Sequence, residues 1–361
     1  MKISFFGSSL VSAYWNGAAT YYRGIIRALH ARGHSVCFYE PDAYDRQYHR
    51  DLPDPDWARV VVYAPTTEGV EAALDAASTN GGCPPDFIIK ASGVGVFDEL
   101  LEAAVVELRS RRTRTIFWDV DAPATLDRVC ENPLDPFGPL IGRYDLILTY
   151  GGGDNVTRKY LSLGARRCVP VYNGLDPETH YRVGPDAARF GADLSFMGNR
   201  MPDREHRVDE FFTHAARCLP DRRFLLGGSG WEPWRFPPNV ACAGHVYTRD
   251  HNAFNSTPLA VLNISRESMA RYGHSPATRV FEAAGAAACI ITDAWAGVGD
   301  FFEPGKEWLV ARDGDEVAEL VEWLTPERAG AIGEAAQHRV LAEHTYGHRA
   351  AVVEQLLNEV R

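Results

Sequence analysis

Short apolar runs alternate with helix-period segments along the whole chain. In the first half, TYYRGIIRALHARG (20–33) has the period of an amphipathic helix that ends at Gly33. Apolar runs of strand length cover 2–7, 34–40, 58–65, 85–92, 114–123 and 144–150. Continuously apolar strands separated by helices are typical of a parallel sheet that is covered on both faces. The first half therefore predicts a doubly wound α/β domain.

The second half repeats this alternation. Strand patterns cover 193–199, 221–231, 239–246, 258–265 and 287–293. HRVDEFFTHAARCL (206–219) has the pattern of an amphipathic helix, and a final helical stretch runs from Pro326 to Arg361. A segment rich in Pro, Gly and Asp (170–192) is the natural linker. The sequence predicts two Rossmann-like domains joined near residue 185.

We expect the domains to cover residues 1–180 and 190–340. The last residues, 341–361, are predicted to form a C-terminal helix, for which packing back on the first domain is one expected arrangement. A length of 361 residues agrees with two domains, because a single hydrophobic core rarely grows to this size.

Composition narrows the class of protein. The formal net charge of −11 argues against a nucleic-acid binder, since phosphate contacts need clustered Lys and Arg. No apolar run approaches the roughly 20 residues of a membrane span, and the apolar stretch at the N-terminus is too short for a secretory signal. The seven cysteines have no C-x-x-C spacing. They predict reduced thiols and a cytoplasmic protein.

The predicted strand ends of the second domain carry glycine and polar residues. Ligands of open parallel sheets bind beyond the carboxyl ends of the strands, so these residues are candidate ligand contacts. Simpler alternatives exist for several: a tight turn around the glycines, a packed Trp231 and a packed His245. The candidates are Gly198, Asn199, Arg200, Gly230, Trp231, His245, Asn263, Ser265 and Arg266.

A helix with a charged start follows the fourth of these strands. Ser275 is the predicted N-cap and Pro276 the first helical residue, which leaves free backbone N–H groups for an anion. Arg279 would lie one turn into the helix and Glu282 two turns in. Small residues from 283 to 286 allow close packing on the sheet. The alternative for Glu282 is an exposed ion pair with Arg279.

These elements resemble those of GT-B glycosyltransferases, and in particular the CgeB-like (spore maturation protein type) group. That group carries an R-x-F-E helix, then I-I-T-D, then F-x-x-G-x-E. Here the corresponding residues are 279–282, 290–293 and 302–307, and a W-x-x-D-x-P element matches 118–123. The resemblance is specific from about residue 193 to residue 310. It implies a GT-B architecture, with the second domain binding a nucleotide-sugar donor.

The resemblance also assigns roles to single residues. Broad retaining GT-B families carry two glutamates as E-x7-E, of which the first meets the sugar and the second binds the ribose. Glu282 matches the second, whereas His274 stands where the first would be. His274 is therefore a candidate catalytic residue, with a solvent-exposed loop histidine as the alternative. The implied donor is a UDP-, GDP-, ADP- or dTDP-sugar, and the implied enzyme acts without a bound metal.

The first domain would then hold the acceptor. Asp119 and Asp121 follow a predicted strand and are candidate general bases for an inverting reaction; period-two spacing points them the same way if the strand continues through both. The alternative is that Asp121 caps the following turn. The loop after the first strand offers Ser8, Ser9, Asn16 and Gly17 as acceptor contacts.

The predicted function is transfer of a sugar from a nucleotide diphosphate sugar to a hydroxyl or amine. Arg200, Arg266 and Arg279 would stabilise the departing diphosphate. The acceptor is a small molecule, a glycan or a protein. One alternative is a nucleotide-sugar epimerase on the same fold, which would need no acceptor. Another is a catalytically silent protein that binds a nucleotide or carbohydrate. An NAD-dependent oxidoreductase is disfavoured because neither domain has a Gly-rich phosphate fingerprint.

Overall fold

Two compact units make up the part of the chain that the structure describes. A computed structural model describes residues 1–14, 16–79, 81–231 and 236–361. The first unit comprises Met1–Asn173 and Tyr346–Arg361, and the second comprises Gly174–Thr345. Each is built on a parallel sheet with helices, which confirms the predicted α/β fold class.

The strands of the first unit form one parallel sheet. In chain order they are β1 (Lys2–Phe6), β2 (Ser35–Pro41), β3 (Arg59–Tyr63), β4 (Phe87–Ala91), β5 (Arg114–Asp119), β6 (Leu146–Thr149) and β7 (Cys168–Pro170). Their order in the sheet is β3-β2-β1-β4-β5-β6-β7. The sheet grows outward from β1 in both directions, so the strand order reverses between β1 and β4. Such a switch point is where open α/β sheets place ligand-binding loops.

Helices connect these strands. They are α1 (Ala19–Ala31), α2 (Thr67–Thr79), α3 (Asp98–Glu107), α4 (Ala122–Glu131) and α5 (Gly153–Ser162). Helix α1 buries Tyr21, Tyr22 and Ile25 against the sheet. The Tyr21 hydroxyl accepts a hydrogen bond from the indole of Trp118 at 2.9 Å, which satisfies two polar groups inside the core.

The second unit has its own parallel sheet and its own core. Its strands are β8 (Leu194–Met197), β9 (Phe224–Gly227), β10 (Val240–Gly244), β11 (Ala260–Asn263), β12 (Ile290–Asp293) and β13 (Leu309–Ala311), in the sheet order β10-β9-β8-β11-β12-β13. Its helices are α6 (Ala187–Phe190), α7 (Glu205–Val208), α8 (His214–Cys218), α9 (His251–Ser256), α10 (Glu267–Tyr272), α11 (Thr278–Gly285), α12 (Gly314–Trp323) and α13 (Pro326–Glu343).

The last helix, α14 (Tyr346–Val360), belongs to the first unit. It packs along α1, where Gly24 gives room for the ring of Tyr346. A Cβ on Gly24 would lie 2.1 Å from that ring, so a side chain there would push α14 away. The Arg349 guanidinium, on the same helix, donates to the Asn173 carbonyl at 3.1 Å.

Three predicted elements differ from the structure. The helical stretch predicted over 326–361 is two helices, α13 and α14. The strand predicted over 114–123 ends at Asp119, because Ala122 and Pro123 already begin α4. The helix predicted over 206–219 is interrupted by a π-helical turn at Asp209–Thr213, where the Thr213 hydroxyl donates to the Val208 carbonyl at 3.4 Å.

Among the described residues, no helix combines the length and the apolar character that crossing a membrane requires. All seven cysteines are free thiols.

Candidate functional site

Helix α11 starts later than the sequence predicts. Its first residue is Thr278 and its N-cap is Ala277, which has extended backbone. Ser275 is therefore not the N-cap; it is buried, and its hydroxyl donates to the Gly273 carbonyl at 2.9 Å. The later start places Arg279 in the first turn of α11 and Glu282 in the second.

Arg279 carries a charge that the fold does not neutralise. Its guanidinium lies over the ring of Phe196, 5.4 Å from the ring centre. Across the described ranges, Arg279 has no carboxylate partner within ion-pair distance, and its Nε has no hydrogen-bond partner. Burial, and then the positive charge of Arg204, lowers the pKa of Arg279 to about 9. Since a cation that is partly withdrawn from water is costly unless it is paired, this environment favours an anion.

The loops after β8 and β9 interlock beside this arginine. The Trp231 indole donates to the Gly198 carbonyl at 2.7 Å, and the Asn199 side-chain oxygen accepts from the Ser229 N–H at 3.0 Å. Gly228 has a φ of +127°, and a Cβ there would lie 2.2 Å from the Gly198 carbonyl oxygen. Only glycine therefore permits this close approach.

Several candidates from these loops have structural partners. Trp231 is buried at 3 % exposure in the core of the second unit, so its ring face is covered. Arg200 forms an ion pair with Glu205 at 2.8 Å, and Arg266 forms one with Asp203 at 2.6 Å. The Gly230 position faces the Arg200 side chain, which a Cβ would meet at 3.2 Å.

His245 lies on the surface, away from such networks. It follows β10 and is exposed. Its ring meets that of Tyr247 edge to face at 4.6 Å.

The end of β11 is organised around a residue that the site prediction missed. Asp293, fully buried at the end of β12, accepts from the Ser265 N–H and hydroxyl, each at 3.1 Å. Arg207 donates to the same carboxylate at 2.7 Å. The Asn263 amide donates to the Thr292 hydroxyl at 3.0 Å.

The pKa of Asp293 reflects that setting. Burial raises the pKa of this carboxyl, while the nearby Arg207 charge and the bonds from Ser265 lower it. Asn263 and Ser265 thus help to satisfy the buried end of β12. The sequence signal for Asp293 was its place at the end of a buried strand, where an acidic group needs partners.

Glu282 is buried and its nearest charged neighbour is a histidine. Its side chain is 10 % exposed, and Oε1 lies 3.7 Å from Nε2 of His180. The exposed Arg279–Glu282 ion pair considered above is therefore not what the structure contains. His251 is close to the same carboxylate, and burial lowers the pKa of this histidine. Neither histidine is recognisable as a site residue from the sequence, because each belongs to a segment distant from α11.

His274 is held in an uncommon backbone conformation. Its φ is +42°, which non-glycine residues rarely adopt. Its Nδ1 lies 2.9 Å from the Asp300 carboxylate, and its backbone N–H donates to the Ala296 carbonyl at 2.6 Å. A Cβ on Gly297 would lie 2.0 Å from Nδ1 of His274, so the ring rests against this glycine. Asp300 and Gly297 together fix the imidazole.

In the first unit, the loop after β1 is held by its own polar side chains. Ser8 donates to the Asn16 side-chain oxygen at 2.9 Å, and Ser9 donates to the buried Glu40 carboxylate at 3.0 Å. The Asn16 amide in turn donates to the Ser9 carbonyl at 2.9 Å. Gly17, by contrast, is exposed, with open space around its Cα.

The two aspartates of the W-x-x-D-x-P element differ in environment. Asp119 is fully buried; its Oδ1 accepts from the Thr125 hydroxyl and its Oδ2 from the Tyr160 hydroxyl. Burial raises the pKa of Asp119. Asp121 is partly exposed and is the N-cap residue of α4, outside the strand. The condition for the two side chains to point the same way therefore fails.

Comparisons with known proteins agree on the fold. Residues 204–357 match the sequence model of the family described as "Glycosyl transferase-like". The sucrose-phosphate synthase of Thermosynechococcus elongatus superposes with a TM-score of 0.75 at 14% identity, covering 100% of this chain and 99% of that chain. HepE of Anabaena, solved in complex with UDP-glucose, gives 0.70 at 14% identity, covering 99% and 100%.

A third structure extends the comparison. AviGT4, a glycosyltransferase involved in avilamycin A biosynthesis, gives a TM-score of 0.62 at 16% identity, covering 100% of this chain and 98% of that chain. No curated protein matches the sequence. The chain has the GT-B glycosyltransferase fold, and most of its second unit matches a glycosyltransferase-like family.

Proposed function

We propose that this protein transfers a glycosyl unit from a nucleotide diphosphate sugar to a hydroxyl or amine of an acceptor. The observation that carries the proposal is the start of α11, where a partly buried arginine without a carboxylate partner is followed one turn later by a buried glutamate. This helix lies in the segment that matches the glycosyltransferase-like family. The R-x-F-E and I-I-T-D motifs support the CgeB-like group within it.

Arg279 is proposed to bind the diphosphate. During transfer, the bond between the anomeric carbon and the phosphate oxygen breaks, and negative charge collects on the departing nucleoside diphosphate. A guanidinium fixed in a partly buried site stabilises that charge more than an exposed one would, because less solvent screens it. Arg204, whose charge lowers the pKa of Arg279, adds to the same positive field. These side chains, rather than a metal ion on the diphosphate, would stabilise the leaving group.

Glu282 is proposed to accept hydrogen bonds from the ribose hydroxyls, and His274 to meet the sugar. A carboxylate is a stronger acceptor for a hydroxyl than a neutral oxygen is. Because Asp300 only accepts hydrogen bonds when ionised, Nδ1 of His274 carries the proton in their contact. In the neutral form of the ring, Nε2 is an acceptor for a sugar hydroxyl.

The acceptor must lose a proton as it attacks the anomeric carbon. Of the two candidate bases, Asp121 is favoured, since both oxygens of Asp119 already accept hydrogen bonds inside the core. Ser8, Ser9 and Asn16 support the fold of the β1 loop through their side chains. Any acceptor contact from this loop is therefore proposed to come from its backbone or from the exposed Gly17.

Binding measurements test the donor site first. We expect UDP to bind more tightly than GDP, ADP or dTDP in calorimetry, because UDP-glucose is the ligand of a protein with the same fold. UDP-sugars are then incubated with the protein, with and without candidate acceptors, and the products are separated by chromatography. Acceptor-dependent release of UDP with a new glycoside supports the proposal.

Three outcomes would overturn it. Conversion of the UDP-sugar to an isomer without an acceptor would indicate an epimerase. Nucleotide binding without turnover on any acceptor of a broad panel of sugars, lipids and peptides would indicate a binding protein. Absence of binding by all four nucleotides at millimolar concentration would remove the donor site itself.

A further inference from the structure

Three metal-ligating side chains meet inside the second unit. They are His180 in the segment before α6, His251 at the start of α9, and Glu282 on α11. One ligand atom from each lies within 4.8 Å of the other two. His180 and Glu282 are buried, and His251 is partly buried. The three residues come from separate segments, so no short sequence motif announces them.

Each of the two histidines has one ring nitrogen without a hydrogen-bond partner in the described part of the chain. Nε2 of His180 and Nδ1 of His251 are both buried and unpaired within the described ranges. The other nitrogen of each ring is engaged: Nδ1 of His180 lies 2.9 Å from the Thr179 hydroxyl, and Nε2 of His251 lies 3.3 Å from the Val246 carbonyl. Because a carbonyl only accepts, Nε2 of His251 carries the proton and Nδ1 presents a lone pair.

This arrangement is the one that metal-binding histidines use. A ligating imidazole donates its remaining N–H to a backbone carbonyl or another acceptor, which fixes the ring and its tautomer. Buried polar atoms are seldom left without partners, so two unpaired nitrogens beside a carboxylate call for a further group. One cation would satisfy all three side chains at once.

The frame around the cluster is tied together. The Asn252 amide donates to the Thr179 carbonyl at 3.0 Å, which joins α9 to the His180 segment. A Cβ on Gly285 would lie 2.9 Å from the His180 carbonyl oxygen, so α11 and this segment are in close contact. The ligands are therefore held by neighbouring backbone rather than by mobile surface loops.

We propose that His180, His251 and Glu282 bind a divalent transition metal, with Zn²⁺ as the best match. Two imidazoles and one carboxylate are a common zinc ligand set, whereas Mg²⁺ and Ca²⁺ prefer oxygen ligands. Ligand atoms of a tetrahedral zinc site lie about 3.4 Å apart at ordinary bond lengths. Oε1 of Glu282 and Nε2 of His180 are 3.7 Å apart, close to that spacing.

Glu282 can serve this ion and the proposed donor together. Ligation through Oε1, the oxygen nearest His180, leaves Oε2 for a hydroxyl donor. The ion is held by protein side chains alone, so the inference does not rest on the proposed function. It also differs from a metal bound by the diphosphate.

A second cluster provides a necessary control. His214, Cys218 and Asp315 also offer three ligand atoms within 4.8 Å, but Cys218 and Asp315 are exposed and His214 is only partly buried. The Asp315 carboxylate there already contacts Nε2 of His214 at 2.8 Å. We therefore place the substitution C218A in every test protein, which removes the thiolate ligand.

The test is zinc binding by the full chain carrying C218A, measured by competition with a chromophoric chelator and by elemental analysis after dialysis. We expect one zinc per chain, and at least a tenfold loss of affinity in H180Q and in H251Q, since each removes one of three ligands. H206A, which removes an exposed histidine, should keep the full affinity. Thermal unfolding of each variant without zinc reports whether it folds.

Two results would overturn the inference: no zinc uptake by the C218A chain at micromolar metal, or parental zinc affinity in folded H180Q and H251Q. UDP binding by chelator-treated protein is measured in parallel. Zinc uptake without UDP binding would remove the proposed function and leave the metal site. UDP binding without zinc uptake would remove the metal site and leave the proposed function.

Discussion

Buried or partly buried charged groups occur in both units, but their surroundings differ. In the first unit, Asp119 is surrounded by neutral donors, the hydroxyls of Thr125 and Tyr160 and the N–H of Asp121. In the second unit, Arg279 lies on an aromatic ring without a carboxylate, and Glu282 faces a histidine at 3.7 Å. Both oxygens of the Asp119 carboxylate accept hydrogen bonds within the fold. By contrast, Nε of Arg279 has no hydrogen-bond partner among the residues that the structure describes, and Glu282 has a histidine 3.7 Å away.

This difference separates structural polar residues from candidate ligand contacts. A buried group whose hydrogen-bonding atoms are all engaged contributes to the fold and has little left for a substrate. A buried group with unpaired atoms carries a cost that a ligand can relieve. The criterion retains Arg279 and Glu282, and it assigns Asp119, Ser265 and Trp231 to structure.

The largest effect is expected at Asp121. D121N should lower the glycosyl transfer rate by about 100-fold or more, because general-base catalysis contributes that much or more. UDP affinity should not change. D119N is the matched control and should transfer within about threefold of the parent rate, equivalent to less than 1 kcal/mol. Rates are measured at saturating donor; parental transfer by D121N would remove it as the base.

R279M should weaken UDP binding by about 10- to 100-fold, because a charged hydrogen bond is worth roughly 1.5–3 kcal/mol. Methionine keeps a long apolar stem against Phe196 and removes only the guanidinium. Uridine, which lacks the diphosphate, should bind R279M and the parent equally. Calorimetry measures both ligands. R217M, at an exposed arginine paired with Asp209, is the control; equal UDP affinities in R279M and R217M would contradict the diphosphate role.

E282Q should affect binding of the nucleoside and not of the diphosphate, the opposite of what is expected for R279M. Replacing the carboxylate by an amide should weaken both uridine and UDP by about fivefold, the size of one hydrogen bond. Inorganic pyrophosphate should bind E282Q as well as it binds the parent. All three titrations use chelator-treated protein, so that a bound metal does not contribute. Unchanged uridine affinity would return Glu282 to a purely structural role.

Much of the fold could be predicted from the sequence, since parallel strands buried on both faces read as continuous apolar runs. The strand predicted over 114–123 is an exception. The apolar run predicts a strand that continues through Asp121. In the structure the strand ends at Asp119, and α4 follows with Pro123 in its first turn. The sequence likewise predicts Ser275 as the N-cap of α11, whereas the N-cap is Ala277, two residues later, with extended backbone.

The candidate site was harder to predict, because side-chain pairing is a tertiary property. Arg200, Arg266 and Arg279 look alike along the chain, yet Glu205 and Asp203 pair with the first two. His180 and His251 reach Glu282 from distant segments, and neither carries a local motif. Asp293 belongs to the I-I-T-D motif, but its contact with Ser265 depends on the pairing of neighbouring strands, which the sequence does not show.

D300N tests whether the strained His274 is positioned for the sugar. The amide can still contact Nδ1, but it no longer fixes the proton there, so the orientation of Nε2 as acceptor is lost. Turnover of the preferred nucleotide sugar should fall by roughly 3- to 10-fold, with UDP affinity unchanged and the pH profile of kcat altered. D313N, at the capping aspartate of α12, is a control for a surface carboxylate in the same unit. Parental kcat and pH profile in D300N would contradict the positioning role.

The smallest effect, on stability alone, concerns Asp119. Burial raises the pKa of this carboxyl in the folded protein above its ordinary value, so the folded state holds the proton more tightly than the unfolded chain does. Its contribution to stability is fully present below the unfolded pKa and is lost as pH rises through the folded pKa. Asparagine is neutral at every pH and can still accept from Thr125 and the Asp121 N–H. The free energy of unfolding of D119N, relative to the parent, should therefore increase as pH rises from the acidic range and then level off. Urea unfolding of both proteins at a series of pH values measures this difference in free energy. A difference that stays constant or falls with pH would show that the fold stabilises Asp119 as a charged group, contrary to its assignment as a carboxylate surrounded by neutral donors.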